Sequence, residues 1–173
     1  MIKNKRIMIM GGTGALGKAL IKKYHEYNEI IVFSRDEHKH VDLLKQYSDI
    51  KSYLGDIRDK DSIKNSFNKF NPNIVINTAA LKHVPICENN AIESVKTNII
   101  GHQNIIESVS EFPGIETLIF VSTDKACKPI NIYGMCKAIS EKLYSNYAET
   151  QQKVKIVMVR YGNVLESTGS VIP

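Results

Sequence analysis

The sequence of 173 residues holds only three cysteines, Cys87, Cys127 and Cys136, and no two of them stand at C-x-x-C spacing. An odd, scattered set of this kind excludes a disulfide framework and a structural zinc site, and leaves ordinary thiols in a reducing compartment. No apolar run approaches the roughly 18 residues of a membrane span, and Ile7-Met8-Ile9-Met10 is too short for a secretory leader. A cytoplasmic chain without a membrane partner is therefore expected. Blocks of about five or six basic residues are also missing. The net charge of +5 comes from lysines scattered along helical stretches, which speaks for a solvated surface or a small polyanionic ligand and against nucleic acid. Internal repeats, low-complexity tracts and Pro/Gly-rich linkers are absent, so one domain is expected over residues 1–173.

What is present is an alternation of short apolar runs and longer amphipathic stretches, the pattern of βαβ units around a parallel sheet. It predicts strands at Arg6–Met10, Glu29–Phe33, Ile50–Leu54, Ile74–Asn77, Thr117–Val121 and Lys155–Arg160. Helices are predicted at Ala15–His25, His38–Gln46, Lys60–Phe70, Ala91–Glu111 and Tyr133–Thr150. Six strands with right-handed crossovers give an α/β, doubly wound parallel sheet of the Rossmann kind, whose ligands lie beyond the carboxyl ends of the strands.

The glycine run Gly11-Gly12-Thr13-Gly14-Ala15-Leu16-Gly17 follows the first strand and opens the first helix. Its glycines let the backbone approach a pyrophosphate, and the helix start offers free N–H groups and a positive dipole end. Gly11, Gly14, Ala15, Leu16 and Gly17 are thus candidate dinucleotide contacts. At the end of the second strand, where an acidic residue reads the ribose 2′-hydroxyl of NAD, stand Ser34 and Arg35, which suit a 2′-phosphate and favour NADP over NAD. Asp36 comes too late to be that acid and is a candidate salt-bridge partner of Arg35. Asp56 is placed to accept from the adenine amino group, or else to act as a cap or turn residue, with Ile57 packing on the ring. The small residues Ala79 and Ala80 let backbone lie close to the cofactor. Asn98, in the long helix, either braces that backbone or faces water.

Val121-Ser122-Thr123-Asp124-Lys125 ends the fifth strand, and Tyr133-Gly134-Met135-Cys136-Lys137 begins the next helix. Tyr133 and Lys137, four apart, share one helix face. An ammonium beside a phenol matters because tyrosine must drop roughly three pKa units, about 4 kcal/mol, to act as a base near neutrality. Lys137 and a nicotinamide ring are expected to supply that drop, with Thr123 hydrogen-bonded to the same sugar hydroxyl. Lys82 and His83, in an expected loop at Leu81–Pro85 over the sugar or nicotinamide, are candidate substrate contacts, Lys82 also a candidate cofactor contact, with a solvated charge and a structural histidine as the alternative.

These residues carry a resemblance over the whole chain to the extended short-chain dehydrogenase/reductases. Within them the chain resembles the inverting UDP-N-acetylglucosamine 4,6-dehydratases of the polysaccharide-biosynthesis, CapD-like group. The matching segments are Phe33-Ser34-Arg35-Asp36-Glu37, Gly55-Asp56-Ile57-Arg58-Asp59, Ala79-Ala80-Leu81-Lys82-His83-Val84-Pro85, Lys96-Thr97-Asn98-Ile99, Ser122-Thr123-Asp124-Lys125-Ala126, Pro129-Ile130-Asn131-Ile132-Tyr133-Gly134 and Arg160-Tyr161-Gly162-Asn163-Val164. The resemblance implies that Tyr133 takes the proton of the sugar 4-hydroxyl, Lys125 removes the C5 proton and Asp124 protonates the departing 6-hydroxyl. It further implies that Asn163 contacts the substrate, that the cofactor is regenerated each cycle and that the protein forms homo-oligomers. A tyrosine at position 133 points to the soluble, 5-inverting branch.

Members of the group continue for a further portion of roughly a hundred residues or more that grips the uridine. The sequence stops soon after the sixth strand, so the C-terminal substrate portion is expected to be missing. The chain alone is then expected to bind NADP and hold the UDP-sugar poorly. A UDP-sugar 4-epimerase, needing Tyr133 and Lys137 without the Asp124–Lys125 pair, and a non-catalytic NADP-binding subunit are the alternatives.

Overall fold

The computed structural model describes residues 2–162, so Asn163 lies outside the described residues. Six strands form one parallel sheet in the order β3-β2-β1-β4-β5-β6: β1 (Arg6–Met10), β2 (Glu29–Ser34), β3 (Lys51–Leu54), β4 (Ile74–Asn77), β5 (Thr117–Thr123) and β6 (Lys155–Tyr161). This is the doubly wound arrangement of the Rossmann fold. The chain reverses its direction across the sheet between β1 and β4, and the crevice at that switch point is where such sheets receive ligands.

Alternation along the strands divides the core in two. Ile7 and Ile9 of β1, with Ile30 and Val32 of β2, face α1 (Ala15–Tyr24) and α2 (Glu37–Gln46) through Ile21 and Leu43. Met8, Met10, Ile31 and Phe33 face the opposite layer of α3 (Lys60–Phe70), α6 (Gly101–Glu111) and α7 (Ile132–Thr150), through Phe67, Ile105 and Tyr144. The central strands are buried on both faces, which explains why they read as unbroken apolar runs rather than alternating ones.

Three features depart from the sequence-based expectation. The expected loop at Leu81–Pro85 is loop only as far as His83; Val84 opens a short helix, α4 (Val84–Asn89), with Pro85 in its first turn, where a missing N–H costs nothing. The single helix expected at Ala91–Glu111 consists of α5 (Ala91–Val95), a π-helical turn (Lys96–Ile100) and α6. β5 runs two residues further than expected, to Thr123, carrying Ser122 and Thr123 in extended pairing with β6. Helix caps follow ordinary chemistry: Asp36 caps α2, Asp59 caps α3 and Asn131 caps α7. Among the described residues no helix is long and apolar enough to cross a membrane.

Candidate functional site

A cavity of about 970 Å³ opens along the carboxyl edge of the sheet, from the ends of β2 and β3, past the β1 turn, to β5 and the start of α7. That volume lies at the upper end of ordinary ligand sites.

Its middle is built from backbone. Gly11 has φ +78°, and a Cβ there would stand 2.8 Å from the Ala79 backbone; a Cβ on Gly17 would run into the Gly12 carbonyl. Only glycine permits this turn and this approach of helix to strand. Gly14 is the N-cap of α1 and provides no side-chain cap, and no acidic residue occupies the first turn. The helix start thus presents uncapped N–H groups where Gly14, Ala15, Leu16 and Gly17 line the cavity, a site suited to a phosphate. On the facing wall Ala79 and Ala80 expose little beyond backbone.

At the β2 and β3 end, Ser34, Arg35, Asp56 and Ile57 all line the cavity, together with Thr13, Asp36 and Lys39. One expectation is corrected here. Arg35 pairs with Asp56, 3.5 Å away, while Asp36 pairs with Lys39 at 2.8 Å and caps α2, so Asp36 is not Arg35's partner. Asp56 is already engaged: Oδ1 accepts the Arg58 backbone N–H, and Oδ2 accepts the Arg58 guanidinium at 2.9 and 2.7 Å. Burial works to raise its carboxyl, but the Arg58 hydrogen bonds and the Arg35 and Arg58 charges prevail and hold it below the usual range. An adenine amino group would find only the remaining lone pair of Oδ1.

The loop after β4 is held by buried side chains from behind. Asn98 is fully buried in the π turn, where its Oδ1 accepts from Leu81 N at 2.9 Å and its Nδ2 donates to Leu81 O at 2.8 Å. It braces the loop and is absent from the cavity lining. His102 Nε2 donates to Ala79 O at 3.2 Å, and Asn77 Oδ1 accepts from Ala79 N. Burial, reinforced by Lys137, keeps the His102 ring neutral by pushing its pKa well down. Lys82 and His83 line the cavity beyond this braced stretch. Thr97, which sequence reasoning passed over, also lines it; its buried Oγ1 has no partner among the described residues.

At the far end Thr123, Lys125 and Tyr133 meet on the cavity wall, with Tyr161 beside Thr123 on β6. Tyr133 arrives there because Gly134 packs flat against the Lys125 carbonyl, where any Cβ would clash. Asp124 does not line the cavity; it accepts from Thr123 Oγ1 at 2.9 Å and from Lys125 Nζ at 3.3 Å. Those two hydrogen bonds hold its carboxyl below the usual range. Lys137 is also off the cavity, buried, with Nζ donating to Val121 O at 2.8 Å and lying 4.7 Å over the Phe120 ring. Burial pushes its pKa down to about 7. The expected lowering of Tyr133 is not met by the protein's own groups: burial, then Tyr161, pushes the phenol up to about 12, against a hydrogen bond with Thr123. The reason is physical: burial disfavours the phenolate, and the same burial strips charge from Lys137, whose amine is held by the Val121 carbonyl and the Phe120 ring.

A dinucleotide fits this arrangement, with the glycine turn for its pyrophosphate and Tyr133 beside its far end. Residues 7–173 match the family described as polysaccharide biosynthesis protein. The whole chain aligns at 40% identity with the UDP-N-acetylglucosamine 4,6-dehydratase (inverting) of Campylobacter jejuni, covering 53% of that protein. It aligns at 38% with the UDP-glucose 4-epimerase of Rickettsia typhi, again covering 53%. The solved structure of Pen from Bacillus thuringiensis superposes with a TM-score of 0.90 at 34% identity, over 98% of this chain and 55% of that one. The chain spans about half the length of the curated relatives it matches.

Proposed function

Since the chain belongs to the polysaccharide biosynthesis protein family, we propose that it carries the NADP site and catalytic side chains of a lyase, a 4,6-dehydratase that acts on UDP-N-acetylglucosamine and inverts C5. The observation that carries the reading is one cavity that joins the uncapped start of α1 to Thr123, Lys125 and Tyr133. Gly11, Gly14, Ala15, Leu16 and Gly17 hold the pyrophosphate, Ser34 and Arg35 the 2′-phosphate, and Asp56 and Ile57 the adenine. Bound there, the nicotinamide supplies reversible hydride storage.

The chain's own groups handle the protons. Tyr133 takes the proton of the sugar 4-hydroxyl as C4 becomes a ketone and later releases it to water, since the product keeps that ketone, with Thr123 holding the same hydroxyl at the start. A phenol held near 12 does this only once positive charge is brought beside it, so proton removal is tied to a filled site. Lys125 takes the C5 proton once C4 is a ketone. Asp124 then protonates the departing 6-hydroxyl, and reprotonation at C5 from the opposite face inverts that centre. Lys82, His83 and Asn163 contact the sugar nucleotide.

One observation favours a second reading, a UDP-sugar 4-epimerase. Asp124 is ionised, paired with Lys125 and turned off the cavity, so as an acid it must first gain a proton and swing inward. Mass spectrometry for loss of water, with product NMR for inversion at C4, separates the two readings after incubation of the protein with UDP-N-acetylglucosamine and NADP. Two arms are run, the chain alone and the chain with the remaining length of a dehydratase relative supplied as a second polypeptide. Loss of water is expected in the second arm, and little or none in the first. An epimer of unchanged mass would move the assignment to the epimerase, and NADP binding without turnover in either arm would leave a non-catalytic subunit.

A further inference from the structure

Beneath the β2 end of the cavity, four polar side chains form one chain of hydrogen bonds. Thr13 Oγ1 donates to Ser34 Oγ at 3.0 Å, Ser34 Oγ lies 2.8 Å from His40 Nε2, and His40 Nδ1 lies 2.6 Å from Ser52 Oγ. Ser34 and His40 are each more than nine-tenths buried, and His40 does not reach the cavity. A further contact fixes the tautomer. His40 Nε2 stands 3.2 Å from the Ser34 backbone carbonyl, which can only accept, so Nε2 carries a hydrogen shared between that carbonyl and Ser34 Oγ. This holds whether the ring is neutral or charged, because Nδ1 faces a hydroxyl that can either donate or accept.

Ser34 Oγ therefore receives the N–H of His40 and the O–H of Thr13, which fills both its lone pairs. What it has left to offer the cavity is its own proton. A hydroxyl reduced to a donor discriminates between ligands, since hydrogen bonds to an ionised acceptor are roughly twice as strong as those to a neutral one. Around it, Lys39 is paired with Asp36 at 2.8 Å, and Arg58 holds Asp56 at 2.7 Å. Arg35, 3.5 Å from an Asp56 already held by Arg58, is the cation least committed at this end.

We propose that His40 is a positioning residue for the choice of dinucleotide. Through Ser34 it makes this end of the cavity a pair of donors, Ser34 Oγ–H and Arg35, matched to a phosphate monoester on the adenosine ribose and ill matched to a free 2′-hydroxyl. The inference rests on reading the cavity as a dinucleotide site.

The test compares NADP and NAD affinities, by calorimetry, in the natural protein, His40→Leu and His40→Gln, with melting temperatures recorded to verify folding. Leucine removes the N–H and frees a lone pair on Ser34, so the ratio of NADP to NAD affinity falls about fivefold to tenfold. Glutamine can donate to Ser34 and accept from Ser52, so it keeps the natural ratio. An unchanged ratio in His40→Leu, with both dinucleotides still bound, overturns the relay and leaves the dinucleotide reading standing. Equal weakening of both dinucleotides reduces His40 to a structural residue and overturns the proposal too. Failure of the natural protein to bind either one sinks the dinucleotide reading, and the relay with it.

Discussion

The middle of the cavity and its β5 end are made of different material. At the β1 turn the working groups are backbone N–H groups, fixed by glycines whose Cβ atoms have no room. At the β5 end they are side chains with shifted proton affinities: a phenol held up near 12, an amine held down near 7 and a carboxyl held below its usual range. The backbone region is complete when the chain folds. The side-chain end is held in check by burial and by its own pairings, so its chemistry waits on whatever enters.

The comparison is sharpest at Tyr133. Tyr133→Phe removes the proton acceptor and leaves the glycine turn untouched, so turnover in the two-polypeptide assay should fall about 10³-fold while the NADP dissociation constant stays within about twofold. A parallel loss of NADP binding would show that the two regions are not separable. Ultraviolet titration of the natural protein should also find a phenol ionising near 12 that shifts down when NADP is added.

The opposite break is Gly17→Ala. Its methyl meets the Gly12 backbone, and the cost is about 3 kcal/mol of stability, read by urea unfolding, with loss of NADP binding. A variant that keeps both would refute the backbone argument.

Lys137 gives a smaller effect with a definite sign. Its folded pKa of about 7 lies below the ordinary 10.5, so between those values the unfolded chain holds a proton that the folded one does not, and stability rises with pH. Below pH 7 the cost of burying the charge is fully present. Lys137→Met should therefore be the more stable protein at pH 7, by about 2 kcal/mol after allowance for the lost bond to Val121, and the gap should close by pH 10.5. Thermal melts across that range read it directly.

Arg35→Ala is expected to have the least effect, about a tenfold loss of NADP affinity with NAD affinity little changed, because the ribose end already loses part of that charge to Asp56.

The same contrast explains what could be read from the sequence. The glycine turn, the strand order and the clustering of Thr123, Lys125 and Tyr133 were legible because each follows from local spacing or from the topology of a doubly wound sheet. Helix α4 was not, since Val84-Pro85-Ile86-Cys87 is too short to show a helical period. The partner of Arg35 was misread because Asp36 is adjacent in sequence while Asp56 is adjacent in space. The Ser34–His40–Ser52 connection is invisible for the same reason: its three residues lie on β2, α2 and β3. The share of Lys137 in lowering Tyr133 was not legible either, because spacing reports that Lys137 lies on the same helix face and says nothing of the Val121 carbonyl that claims the amine.

The π turn ties these walls mechanically. Asn98 grips Leu81 through its side chain, while its carbonyl accepts the hydroxyl of Ser140 on α7. Helix α7 also bears Tyr133 and Lys137, so a tilt of that helix tugs on the strip of chain across the groove. Opening one side without the other would mean breaking either the two hydrogen bonds to Leu81 or the one from Ser140, all made at a single asparagine. Amide exchange at Leu81 and along the first turns of α7 should accordingly slow or quicken as one cooperative unit.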